Sequence, residues 1–163
     1  MDRAQRMFDR SQRDEVPISL LAFDLDRFKQ INDKFGHPTG DHVLRIFADV
    51  LARTLRPADT AGRIGGEEFA VALTGCSIQA ALAIATRIRS AFQDDARFVN
   101  GHRVGATVSV GAATAPEHGC SLTDIISSAD DALYRAKDLG RNRVAAAQRD
   151  SGNPDPTVVV RIA

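Results

Sequence analysis

Two pairs of acidic residues lie at the ends of predicted strands, where their carboxylates could bind a divalent cation. Asp24 and Asp26 close the apolar run ISLLAFDLD, and Glu67 and Glu68 follow two glycines in RIGGEEF. Adjacent carboxylates repel, but a shared cation offsets that repulsion. Mg²⁺ takes few protein ligands and leaves the other positions to phosphate oxygens and water. If the two segments lie side by side, Glu67 approaches Asp24, and the pattern predicts a magnesium site for a phosphorylated substrate.

Both acidic pairs also have a structural interpretation. Asp26 precedes a helix that we expect to begin at Arg27, and this position favours a helix cap over a metal ligand. Asp24 directly follows a buried strand and has no such capping role. For Glu67 and Glu68 the hairpin alone supports an acidic, solvent-facing turn and a metal site equally. Asp24 and the cations described next favour the metal site.

Three cationic residues could hold the phosphates of such a substrate. Lys137 and Arg141 lie four positions apart in KDLGRNR, and Lys29 lies one turn into its predicted helix. An arginine can bind two phosphate oxygens at once, whereas a lysine acts as a point charge. Cations at the end of a helix also stabilise the helix dipole, so a structural role for Lys137 and Arg141 stays open.

Two further side chains have the chemistry needed to recognise a purine. Asn32 offers both a donor and an acceptor, and Asp41 accepts from the ring N–H and amino groups that guanine presents. Taken singly, each is more often a helix cap, and Asp41 precedes the amphipathic segment HVLRIFADVLARTL.

The elements that must position these residues alternate between strands and helices. The predicted order is a buried strand, two helices, a hairpin, a helix, a strand or hairpin, a helix and a last strand, without the glycine fingerprint of a dinucleotide-binding fold. We therefore predict an α+β fold with a central, mostly antiparallel sheet flanked by helices. Gly65 and Gly66 are expected to form a two-residue turn with positive φ. A second hairpin is expected at Asn100–Gly101, with helix starts at Ser77 and at the capping box Ser121–Asp124.

Composition excludes several classes of protein. The chain has 163 residues, is 44% apolar and 26% charged, and has 21 basic and 21 acidic residues, for a net charge of +0. This balance favours neither a nucleic-acid-binding protein nor a membrane-surface protein. No apolar run is long enough to span a membrane, and the N-terminus lacks a signal-peptide core. Cys76 and Cys120 are expected to be free thiols in a reducing compartment, which predicts a cytoplasmic location.

Several long motifs occur in order and resemble the signatures of the GGDEF domain, the diguanylate cyclases. They are FDLDRFKQINDKFGHPTGD, RIGGEEF, TVSVGAA and ADDALYRAKDLGRNRV, and the resemblance covers about Ile18 to Val144. The resemblance implies a fold similar to the palm of nucleic-acid polymerases and to class III nucleotidyl cyclases. It also implies condensation of two GTP molecules into cyclic di-GMP and two pyrophosphates by a homodimer.

The resemblance also implies a role for each matching residue. Asp24, Glu67 and the backbone carbonyl of Leu25 would bind two Mg²⁺ or Mn²⁺ ions. Glu67 or Glu68 would accept the proton of the 3′-hydroxyl, and Lys29 would stabilise the reacting phosphate. The positions that would contact GTP elsewhere are Asn32, His37, Asp41, Gly65, Gly66, Lys137 and Arg141.

The segment RPAD resembles the RxxD site at which the family binds cyclic di-GMP as an inhibitor. It places Arg56 and Asp59 just before the signature hairpin, and Arg87 is a weaker candidate for the same site. Arg56 could pair with phosphate and Asp59 with guanine. Pro57 alternatively explains the segment as a helix stop followed by a turn.

We expect three regions: an N-terminal helix remnant at 1–17, a catalytic domain at 18–148 and a flexible tail at 149–163. The DxLTGLxNR segment that usually opens the family is absent, which indicates either a piece of a larger protein or an unusual start. Because such domains usually follow a sensor or receiver domain that brings two copies together, we expect such a domain outside this chain. Three alternatives are a silent cyclic di-GMP or GTP binding module, a cyclase of altered nucleotide specificity, and a purely structural acidic domain. The last leaves the clustering of acids unexplained.

Overall fold

The computed structural model describes residues 2–148 and contains five helices and seven strands within them. In chain order they are α1 (Asp2–Arg13), β1 (Ile18–Leu25), α2 (Phe28–Phe35), α3 (His37–Thr54), β2 (Thr60–Arg63), β3 (Glu68–Thr74), α4 (Ile78–Asp95), β4 (Phe98–Val99), β5 (His102–Arg103), β6 (Val108–Ala115), α5 (Leu122–Asp138) and β7 (Val144–Ala146). The predicted tail at 149–163 lies outside the described residues.

A five-stranded sheet forms the centre of the fold, in the order β2-β3-β1-β6-β7. β1 pairs antiparallel with both β3 and β6, β2 pairs antiparallel with β3, and only β7 runs parallel to its neighbour β6. The predicted α+β architecture with a mostly antiparallel sheet is confirmed. β4 and β5 form a separate hairpin through Asn100 and Gly101, both at positive φ, as expected for a two-residue turn.

The sheet is covered on both faces, and the alternation of side chains along β1 divides the core in two. Leu21, Phe23 and Leu25 belong to the larger core, in which the Phe47 ring of α3 lies 5.4 Å from that of Phe23 and 5.0 Å from that of Phe92. Ile18, Leu20 and Ala22 belong to the smaller core with residues of α1 and α5. Asp24 lies on the same face of β1 as Ile18, Leu20 and Ala22, so its side chain faces α5.

The helix α1 packs against this second face. Its Phe8 side chain is buried and belongs to the core cluster that also contains Ile125 and Leu133 of α5. The segment 2–13 is therefore an integral layer over the sheet in the described part of the chain.

Two helix starts and the expected caps near them differ from the expectations. α2 begins at Phe28, after Arg27 at φ 55°, with no side-chain cap, so the predicted capping role of Asp26 is wrong. α3 begins at His37 after the single break at Gly36, so Asp41 lies inside the helix and does not cap it. Asn32 likewise lies inside α2. The two helix caps predicted at Ser77 and Ser121 are confirmed.

Both cysteines are free thiols, as expected. Cys76 is buried, and burial raises the pKa of its thiol, with a further upward contribution from Asp59 that Arg56 and Ser19 oppose. Within residues 2–148, no helix combines the length and apolar character that crossing a membrane requires.

Candidate functional site

The end of β1 and the glycine bend lie side by side. Asp24 is directly opposite Glu68 in the antiparallel register of β1 and β3. One residue further, the Leu25 N–H donates a hydrogen bond of 3.2 Å to the Glu67 carbonyl. Directly opposed residues in such a ladder have Cα atoms about 5 Å apart. The structure thus brings together the two acidic segments that the sequence singled out.

The bend itself differs from the predicted positive-φ turn. Neither Gly65 nor Gly66 has positive φ, so that expectation is wrong. Gly65 instead leaves room for a neighbour, since a Cβ atom there would overlap the Glu68 carboxylate and approach its Cδ to 3.3 Å. Arg63 of β2 holds the bend through hydrogen bonds from its Nε to the carbonyls of Gly65 at 3.1 Å and Gly66 at 3.0 Å.

A cation from α5 lies at the same carboxylates. Lys137 Nζ forms an ion pair of 2.8 Å with Asp24 Oδ2, and both side chains are mostly shielded from solvent. Asp130 lies two helical turns earlier on α5. Although Asp130 is exposed overall, partial desolvation raises the pKa of its carboxyl, and the charges of Glu68 and Asp131 raise it further. The site is therefore an acidic cluster with a lysine on one side.

The donor set fits a hard divalent cation that is bound together with phosphate. In residues 2–148 no three acidic, histidine or cysteine side chains are grouped closely enough to form an all-protein metal cage. Mg²⁺ does not need such a cage, because it is commonly held by one or two carboxylates plus substrate oxygens. Asp24, Glu67 and the carbonyl of Leu25 would supply that smaller set on adjoining strand ends.

The predicted purine-binding residues lie together where α2 meets α3. Gly40 permits the close approach, since a Cβ atom there would overlap the Asn32 amide oxygen and lie 2.9 Å from its Cγ and 3.3 Å from Phe28 Cζ. Asn32 therefore lies against the residue that precedes Asp41. His37 is the first residue of α3 and is exposed, as is Asp41.

A cleft of about 830 Å³ opens beside these residues. It extends along α3 and the edge strand β2 towards the turn after α3. Its polar and charged lining residues are Asp41, Arg45, Arg56, Asp59 and Arg63. Its volume is within the range of small-molecule sites.

Comparison with known proteins assigns the family. The family model described as "Diguanylate cyclase, GGDEF domain" matches residues 2–143. The chain belongs to this GGDEF family. The match begins inside α1, in agreement with the packing of that helix on the sheet.

Named relatives and solved structures of GGDEF domains are similar over most of this chain. "Diguanylate cyclase A" of Treponema denticola is 41% identical over 133 residues, covering 82% of this chain and 36% of the relative. The active GGEEF domain of a diguanylate cyclase from Vibrio cholerae superposes with a TM-score of 0.85 at 31% identity, covering 91% and 94% of the two chains. The GGDEF domain of DgcB from Caulobacter crescentus, solved with c-di-GMP, superposes with a TM-score of 0.83 at 34% sequence identity. That match covers 89% of this chain and 86% of the DgcB chain. The chain spans well under half the length of the curated relatives it matches.

The remaining predicted GGDEF residues, Lys29 and Arg141, lie on segments next to those that carry the acidic cluster. Lys29 is the second residue of α2 and is exposed. Arg141 follows α5 at φ 62° and is also exposed. Both adjoin segments that carry the cluster, since Lys29 follows β1 by four residues and Arg141 follows Lys137 by four.

The RPAD segment forms a closed turn at the other end of the cleft. Asp59 is buried, and its Oδ2 accepts a hydrogen bond of 2.9 Å from the Arg56 N–H. The Arg56 guanidinium lies 3.4 Å from Asp59 Oδ1 and is more than half exposed. Arg87 of α4 reaches the same region by donating to the Thr54 carbonyl at 3.2 Å. The structure therefore groups the three residues that the sequence proposed for the RxxD site.

Two residues of the site, Arg63 and Asp130, were missed by the sequence patterns, and a third, Asp26, was named but given the wrong role. Arg63 supports the glycine bend, Asp130 extends the acidic cluster, and Asp26 anchors the turn after α5. The signal for Asp26 was its place in the FDLD motif, but its partners lie far along the chain. Asp130 gave a weaker signal, as one of two adjacent acids on α5.

Proposed function

We propose that this chain is a diguanylate cyclase domain that condenses two GTP molecules into cyclic di-GMP and two pyrophosphates. The observation that carries the proposal is the opposition of Asp24 and Glu68, with Lys137 ion-paired to Asp24 at 2.8 Å. That arrangement supplies carboxylates for divalent cations and a cation for phosphate at one place. Family membership supports the same reaction.

In this proposal the chain's residues bind, orient and neutralise the substrate. Asn32 and Asp41 orient guanine, with His37 beside the base or ribose, while Lys29, Lys137 and Arg141 neutralise the phosphates. Asp24, Glu67 and the Leu25 carbonyl would hold two Mg²⁺ or Mn²⁺ ions. Such ions, when bound, lower the pKa of the 3′-hydroxyl and stabilise the leaving pyrophosphate. Glu67 or Glu68 accepts the proton from that hydroxyl, and positioning supplies much of the rate enhancement.

The reaction requires two copies of the domain. Each 3′-oxygen attacks the α-phosphate of the other GTP, and each chain offers one such nucleotide site. Two chains related by a two-fold axis present the nucleotides to each other. A regulatory module in a longer protein would bring the two copies together. The use of GTP as substrate and the free cysteines are both consistent with a cytoplasmic location.

Incubation of the purified protein with GTP and Mg²⁺ is expected to yield cyclic di-GMP, because each GTP supplies both a nucleophile and a leaving pyrophosphate. Well below the dimer dissociation constant, the initial rate should rise as the square of the protein concentration. Product analysis by mass spectrometry at several protein concentrations, with mixed GTP and ATP in a parallel reaction, measures identity and specificity. GTP binding without cyclic product would instead support a silent module, and mixed cyclic products would support altered specificity.

The RPAD turn supports a second part of the proposal, inhibition by cyclic di-GMP at Arg56, Asp59 and Arg87. Arg56 is exposed enough to pair with phosphate, and the buried Asp59 holds the turn through the Arg56 N–H. The Arg87 contact with the end of α3 places a second guanidinium beside this turn.

Arg56→Ala is expected to raise the concentration of cyclic di-GMP needed for half-inhibition by about tenfold or more, because a hydrogen bond to a charged group contributes about 1.5–3 kcal/mol. Initial rates at increasing product concentration measure the effect. Arg10→Ala is the control, since it removes an exposed Arg–Asp pair 3.3 Å long in α1. Inhibition unchanged in Arg56→Ala would show that the turn is only a helix stop.

A further inference from the structure

Asp26 is a buried carboxylate with three hydrogen-bond donors from two distant segments. It is 6% exposed. Its Oδ1 accepts from Ser109 Oγ at 2.7 Å, and its Oδ2 accepts from Thr107 Oγ1 at 2.7 Å and from the Asn142 N–H at 3.0 Å. A buried carboxylate is costly unless its oxygens are satisfied, so this set of donors is a built feature of the fold.

The third donor belongs to an unusual turn. Gly140, Arg141 and Asn142 have φ values of 113°, 62° and 47° in succession. Positive φ is unfavourable for arginine, whereas asparagine tolerates it better than most residues, so the surrounding structure must hold Arg141 above all in place. Asp26 holds the backbone of Asn142, while Arg89 of α4 donates to its side-chain Oδ1 at 2.8 Å.

This turn controls the position of Arg141 relative to the acidic cluster. Arg141 lies between the end of α5 and the anchored Asn142, and its N–H donates to the Ala136 carbonyl at 3.0 Å. Asp26 itself lies two residues after Asp24. One short segment therefore carries both the carboxylate paired with Lys137 and the carboxylate that fixes the residue after Arg141.

We propose that Asp26 is a positioning residue: through Asn142 it fixes the strained turn that presents Arg141 to the triphosphate of the bound nucleotide. It contacts neither the nucleotide nor a metal ion in this role. The inference rests on the proposed function for the identity of the nucleotide, but the anchoring of the turn is independent of turnover.

The test compares triphosphate and monophosphate binding to Asp26→Asn and to the unaltered protein, without catalysis. The affinity for a non-hydrolysable GTP analogue with Mg²⁺ should fall by about tenfold, the scale of losing one charged hydrogen bond between Arg141 and phosphate. The affinity for GMP should change less than twofold, because Asn32 and Asp41 are untouched. In the absence of nucleotide, hydrogen exchange at the Asn142 amide should accelerate. Thr107→Val removes one donor from the same carboxylate and should lower the affinity for the analogue in the same direction, but by less. It replaces Asp26→Asn in the test if that variant does not fold.

A matched control separates positioning from a general loss of stability. Thr114→Val removes a buried hydroxyl that lies 2.6 Å from Ser19 Oγ at the opposite end of β6. It should leave both nucleotide affinities unchanged. The positioning role would be overturned by any of three results for Asp26→Asn: equal losses of affinity for the analogue and GMP, no loss of affinity for either, or unchanged hydrogen exchange at the Asn142 amide. If the unaltered protein bound the analogue but formed no cyclic di-GMP from GTP and Mg²⁺ in the separate turnover assay, the proposed function alone would be refuted, and these affinities would still decide the positioning role.

Discussion

Glu67→Gln is expected to lower the rate of cyclic di-GMP formation by at least about a hundredfold, the scale of losing one group that stabilises charge in a transition state. The substitution keeps the shape of the side chain but removes its negative charge. The Glu67 backbone already bonds to Leu25 at 3.2 Å, so the bend should keep its place. Initial rates over a range of Mg²⁺ concentrations measure the loss, and the concentration for half-maximal rate should rise.

Glu15→Gln makes the same chemical change at an exposed residue before β1 and should leave the rate unaltered. Glu68→Gln provides a second comparison, because Glu68 lies opposite Asp24 and its charge raises the pKa of Asp130. If Glu67→Gln retained turnover within a few-fold of the unaltered protein, the assignment of Glu67 to metal binding would be wrong. The fold and the family membership would be unaffected by that result.

The central part of the site was predictable because its signals are local. An apolar run that ends in acids predicts a buried strand with carboxylates at its end, and the signature RIGGEEF predicts a hairpin. Placing the two segments side by side then predicts that Asp24 meets the acidic pair, although the sequence named Glu67 and the register puts Glu68 directly opposite Asp24. Ser121 was equally predictable, because its capping box with Asp124 involves residues only three apart.

The errors arose where distant residues or close contacts decide the conformation. The partners of Asp26 are 81, 83 and 116 positions away, so a local pattern suggested only a helix cap. Gly65 has a spatial role, since a side chain there would overlap Glu68. The sequence pattern put a helix start at Asp41, but α3 already begins at His37, one residue before Pro38. Proline is well tolerated in the first turn of a helix, which is where it lies in α3.

Gly111→Ala is expected to destabilise the fold by about 3 kcal/mol and lower Tm by roughly 10 °C. Gly111 lies in β6, opposite Ala22 of β1. A Cβ atom there would overlap the Ala129 carbonyl and the Leu133 N–H of α5 and lie 2.9 Å from Leu133 Cα. These are backbone atoms, so relief requires α5 to move away from the sheet. Thermal unfolding monitored by circular dichroism measures the change.

The same displacement should reduce cyclase activity below the unfolding temperature, since α5 carries the lysine that pairs with Asp24. Gly62→Ala is the matched control: Gly62 lies in the edge strand β2, and a Cβ atom there has no neighbour within 4 Å. Neither glycine has positive φ, so alanine fits both backbones and the contact with α5 is the difference between them. Equal stability of the two variants would show that α5 does not pack against the sheet at Gly111 as the structure has it.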